Sequence, residues 1–87
     1  MNTTGTGIMA ALRNEPVSVT ARETHLDTLV WTTPAGDSLV VSASVQGGVL
    51  AALMRPSDGA LLDRKRLRSL SGVVRFVRKY VPDAAVA

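Results

Sequence analysis

The sequence predicts an α+β domain, with antiparallel strands in the middle of the chain and helices at its two ends. Three observations point there. Between Val17 and Leu62 apolar and polar residues tend to alternate with a period of two, interrupted by turn-forming clusters. After Asp63 the apolar residues Leu67, Leu70, Val73, Val74, Val77 and Val81 recur every three or four positions, the spacing of one helix face. An apolar content of 46% in 87 residues is too high for a disordered chain and sufficient for one small core.

The elements follow in order. Residues 1–7 are small and polar and are expected to fray as a flexible N-terminus. Ile8 to Asn14 can form two helical turns, with Ile8, Met9 and Leu12 on one side, before Pro16 ends them. Val17 to Arg22 alternates as a half-buried strand. His25 falls in the loop that follows. Asp27 to Thr33 sets Leu29 and Trp31 on one face, and Pro34-Ala35-Gly36-Asp37 makes a turn. Ser38 to Gln46 sets Leu39, Val41 and Val45 on one side against Val40, Ser42 and Ser44. Gly47-Gly48 permits a tight reversal. Val49 to Arg55 is a strand apolar on both faces, Pro56-Ser57-Asp58-Gly59 is a second turn, and Ala60 to Leu62 is a short return strand. The sum is a four- to five-stranded antiparallel meander.

Asp63 has the chemistry of a helix N-cap, Leu62 and Leu67 the spacing of a hydrophobic staple, and Pro82 a stop. A long amphipathic C-terminal helix from Asp63 to about Val81, packed on one sheet face, is therefore expected. Residues 8–82 form one domain and 83–87 a flexible tail.

Composition removes several functions. There is no cysteine, hence no disulfide or thiolate site, and one histidine leaves no metal site of the usual His/Cys kind. His25, Ser38, Ser42 and Ser44 have no base or partner at a fixed spacing, and the acids Glu15, Glu23, Asp27, Asp37 and Asp58 are scattered over loops. No catalytic residue and no cofactor is expected: the chain reads as a non-enzyme. The N-terminus lacks the charged and apolar regions of a signal peptide. The longest apolar run, Val49 to Met54, is far short of the ~20 residues of a membrane span. A cytoplasmic protein is expected, equally compatible with a phage or plasmid product.

Charge supplies the positive signal. Residues 1–62 hold three basic and five acidic side chains, a net −2, whereas residues 63–87 hold seven basic and two acidic, a net +5. On the expected helix Arg64, Lys65, Arg68, Arg75, Arg78 and Lys79 share the outer face and Arg66 lies at its edge. Like charges four apart would repel there, and no acid on that face relieves them. An anionic partner would. Nucleic acid, held non-specifically through its phosphates, is the first expectation, because arginine matches phosphate with a bidentate fork. The alternative is a protein-interaction module, an adaptor, inhibitor or assembly subunit that docks on an acidic surface. A second candidate surface is apolar. If the helix covers the face of Leu29, Trp31, Leu39, Val41 and Val45, then Val30, Val40, Leu50, Ala52 and Met54 look out from the other one. Either the N-terminal segment folds over them or they meet a second subunit in a homodimer.

Overall fold

The alternating segments pair into one antiparallel sheet in the computed structural model, which describes residues 5–25 and 27–82. The expectations for residues 1–4 and 83–87 fall outside that range. In chain order the elements are α1 (Gly5–Leu12), a 3-10 helix (Pro16–Thr20), β1 (Glu23–His25), β2 (Thr28–Thr32), β3 (Ser38–Ala43), β4 (Val49–Arg55), β5 (Ala60–Leu67) and α2 (Leu70–Tyr80). The strands lie in the order of the chain. β2 to β5 are the four substantial strands, and β1 adds three residues at one edge, where a loop had been expected around His25.

The register sorts the side chains into two faces. Leu29, Val41 and Ala51 form one cross-strand row, and Trp31, Leu39 and Leu53 another. All six are buried, together with Ile8, Met9 and Leu12 of α1 and Val73, Phe76 and Val77 of α2. Both helices therefore pack on the same face. This removes one of the two covers for the outer apolar residues: the N-terminal helix is not over them. Trp31 is at the centre, and its indole N–H donates to the Val17 carbonyl at 2.9 Å, so the largest buried side chain leaves no polar atom unpaired.

Helix α1 starts at Gly5, inside the stretch expected to fray, because Gly5 is packed on backbone. A Cβ there would lie 2.2 Å from the Gly48 carbonyl oxygen and 2.8 Å from the Ser44 nitrogen. Only a residue without a side chain lets α1 come this close to the β3–β4 turn.

Four expectations are corrected. Val17 to Arg22 is not a strand. Pro16 opens a 3-10 turn, the Ser18 N–H bonds the Glu15 carbonyl, and the Ser18 hydroxyl bonds the Arg13 and Glu15 carbonyls, so local bonds replace the ladder. Val17 is buried while Val19 is 72% exposed. Val45 is not on the inner face. β3 ends at Ala43, and Val45 rides the turn that Gly47 and Gly48 close at positive φ. The short return strand is in fact eight residues long, the longest in the sheet.

The long C-terminal helix is the fourth. It is 11 residues, and Asp63 to Leu67 belong to β5. Asp63, Arg64, Lys65 and Arg66 give a helix no apolar contact, whereas as a strand they pair with Leu53, Ala52, Ala51 and Leu50. An edge strand tolerates the charge. Leu62 falls at an irregularity of the β4–β5 ladder and is not a staple. The cap is Ser69, whose hydroxyl accepts from the Gly72 N–H at 3.1 Å.

Candidate functional site

The break at Ser69 redistributes the cations that a single helix would have lined up. Arg64, Lys65 and Arg66 are on β5, Arg68 is in the connection, and Arg75, Arg78 and Lys79 are on α2. Strand and helix then face each other across an open groove of about 800 Å³. Arg64, Lys65, Arg75, Arg78 and Lys79 line it, with Asp63 as the one acid and with Leu67, Gly72 and Phe76 also in its walls. Five of the six expected residues thus meet, though on two elements and not on one helix face. Arg68 is the exception. It is directed to the β3–β4 turn, its side chain lying close to the positions of Gly47 and Gly48.

Arg66 has a structural role of its own. Its guanidinium donates to the Ser44 hydroxyl at 2.9 Å, the Gly47 carbonyl at 3.0 Å and the Gln46 side chain at 3.1 Å. That planar fork fastens the end of β5 to the β3–β4 turn.

The electrostatics differ from those of the expected helix. Arg64 to Arg66 no longer sit at the positive end of a helix dipole. Arg78 and Lys79 occupy the last turn of α2, where cations are favoured by about 0.3–1 kcal/mol each at the surface. Of the i,i+4 repulsions only that between Arg75 and Lys79 remains on a helix. Among the described residues no carboxylate lies within ion-pair distance of the five groove cations. Arg55 pairs with Asp58 at 3.1 Å, outside the groove.

Asp63 and Tyr80 tie the two walls together. The Tyr80 hydroxyl donates to one Asp63 oxygen, and the Arg64 N–H donates to the other at 2.8 Å. The Tyr80 bond is the main reason the Asp63 carboxyl is held below the usual carboxylate range. Arg64's N–H and the charges of Lys79 and Lys65 act the same way, against an opposing contribution from desolvation. The same bond raises the Tyr80 phenol above its ordinary value. Phe76 meets the Tyr80 ring edge-on with centroids 5.3 Å apart, and the Lys79 ammonium lies 5.2 Å from its centre. A carboxylate held ionised by these donors links β5 to α2 and is a poor general base. The alternation of charge and apolar residues gave no hint of this pair, because Asp63 and Tyr80 are 17 positions apart and meet only once β5 replaces the first helical turns.

Arg64's N–H meeting the side chain of Asp63, and not the backbone of β4, identifies it as a group on the open edge of β5. Cations, a ladder irregularity and a side-chain cap on that edge all discourage a further strand from adding there.

The apolar candidates share the opposite face. Val30, Val40 and Ala52 form a cross-strand row that ends at Arg64, Leu50 lies in the row of Thr28, Ser42 and Arg66, and Met54 pairs with Leu61. Val30 is 9% exposed, and Val40, Leu50, Ala52 and Met54 are half-buried.

Among the described residues no three His, Cys, Asp or Glu side chains gather where they could hold a metal ion, and no helix is long and apolar enough to cross a membrane. The backbone of His25 ends β1, and the Ser44 hydroxyl is taken up by Arg66 and the Gln46 N–H. Comparison with protein-family models, with curated proteins and with solved structures finds no match to the chain.

Proposed function

We propose that the protein is a small, non-enzymatic, cytoplasmic nucleic-acid-binding protein whose β5–α2 groove engages phosphates. One observation carries this reading: five cations with no carboxylate partner among the described residues line one groove, against a single lining acid already bonded to Tyr80. A phosphate backbone supplies the missing counter-charge, and three of the five are arginines, which bind it bidentately. The contacts reach phosphates and not base edges, so affinity rather than sequence selectivity is the expected property. Binding of a fluorescent oligonucleotide, followed by anisotropy, tests it. The Arg75→Glu/Arg78→Glu protein should bind at least ~10-fold more weakly, since removing a charge-assisted bond is worth roughly 1.5–3 kcal/mol. Its melting temperature should stay near that of the parent. Arg13→Glu, outside the groove, should bind as the parent does. Undiminished binding by the double reversal sinks the proposal.

A second reading keeps the groove and changes the partner. The same cations, set over Leu67 and Phe76 that are already buried in the core, also fit a protein with an acidic surface, met by an adaptor, inhibitor or assembly subunit of phage or plasmid type. Recovery of one stoichiometric protein after nuclease treatment, lost in the same double reversal, would replace nucleic acid by that partner.

A further inference from the structure

An antiparallel sheet with one face on the core ordinarily turns polar residues outward. This one does so only at its margins. Thr28, Thr32, Ser38 and Ser42 follow the rule, but the middle of the outer face is Val30, Val40, Leu50, Ala52 and Met54, extended by Leu61, which is 53% exposed. Both helices are on the other side, and Gly5 is wedged against the backbone of Ser44 and Gly48, which fixes α1 there. None of the described elements lies over this face.

We propose that a second copy of the chain covers it, packed sheet against sheet. Two arguments select this occupant. The first is area. Four strands spaced ~4.8 Å apart and ~20 Å long present roughly 400 Å² in projection. With the relief of the side chains, two such faces would remove on the order of 1,000 Å² of accessible surface, about the lower bound for a specific interface. The second is the distribution of charge. The centre of the face is uncharged and its cations stand at its margins: on the β5 side Arg64 ends the Val30–Val40–Ala52 row and Arg66 is bound to the β3–β4 turn, and on the β2 side Arg22 donates to the Thr32 hydroxyl at 2.9 Å. A two-fold axis along the strands lays the β5 margin of each copy over the Thr28, Thr32 and Ser42 side of the other. Apolar residues then meet apolar residues, and the two Arg64 side chains are at opposite ends of the interface. The β5–α2 groove touches this contact only at Arg64, which stands on the margin of both, so the apolar contact itself does not depend on what the groove binds.

Sedimentation equilibrium over low to high micromolar protein tests it. The expected result is a mass rising to two 9.2 kDa chains, with Leu50→Asp shifting the dissociation constant at least ~10-fold upward. Should Leu50→Asp fail to fold, Ala52→Gln and Met54→Gln each probe the same face with a neutral side chain and should give the same direction of shift. Arg75→Glu/Arg78→Glu should leave the mass unchanged. A monomer throughout the range overturns the inference and leaves the face to a different protein. So does a dimer indifferent to all three outer-face variants, which would point to pairing through an edge strand.

Discussion

The closed face of the sheet and the open face are built from alternate residues of the same four strands, yet the chain seals only one of them. On the closed face Leu29, Trp31, Leu39, Val41, Val49 and Ala51 are fully buried under two helices. On the open face Val40, Leu50, Ala52 and Met54 keep part of their surface in water. β4 carries both sets, and its period of two is visible in burial even though nearly every residue in it is apolar. The difference teaches that the helices, and not the hydrophobicity of the strands, decide which face becomes core. Each of α1 and α2 has one apolar side, and the close approach at Gly5 and the cap at Ser69 put both on the same layer.

The sharpest way to break the comparison is a deletion on each face. Trp31→Ala should destabilise by about 3–5 kcal/mol, measured by urea unfolding, since the indole fills the centre of the core and loses its bond to Val17. Val40→Thr on the open face should stay within ~0.5 kcal/mol in dilute, dissociated protein. Equal losses would mean the two faces are equally buried. Next in size is Gly5→Ala, expected to lose about 1–3 kcal/mol, because its methyl would overlap the Gly48 carbonyl and lift α1 from the sheet. An unchanged unfolding midpoint would show that α1 does not need this contact. Ser69→Ala should cost about 1 kcal/mol, with Ser69→Asp restoring it, as a cap requires.

The smallest effect is a dependence on pH across the groove. The folded Asp63 has a depressed pKa, so its stabilising contribution is complete above the usual carboxylate range and is lost as pH falls through the folded value. Tyr80, with a raised pKa, contributes below the ordinary tyrosine range and loses that contribution as pH rises through its folded value. Tyr80→Phe should therefore flatten both limbs of melting temperature against pH. Limbs unchanged in the variant would remove the Asp63–Tyr80 bond from the account.

Legibility in the sequence followed the number of constraints each segment carried. β2, β3 and β4 were readable because alternation, Gly and Pro turns and β-branched residues agree. The C-terminal boundary was not, because Asp63 and Ser69 are both good caps and the apolar spacing after Leu67 fits a helix begun at either. The strand wins through its ladder with β4, a tertiary gain with no local signature. Val17 to Arg22 misled for the opposite reason: two valines and an alanine in alternation resemble a strand, while Pro16 and Ser18 bond locally into a turn. The charge cluster was legible as a patch whichever element held it. Five of its six cations line the groove, but their division between two walls, and the Asp63–Tyr80 bond joining those walls, depend on the corrected boundary.

The most direct measurement for the central claim is a salt titration of oligonucleotide binding to the intact protein. With about three phosphates engaged in the groove, the logarithm of the association constant should fall with the logarithm of salt at a slope between about −2 for single strands and −3 for duplex. In the Arg75→Glu/Arg78→Glu protein the slope should flatten toward zero as binding is lost. A parent affinity that ignores salt, or a slope the double reversal leaves intact, would contradict a phosphate-binding groove between β5 and α2.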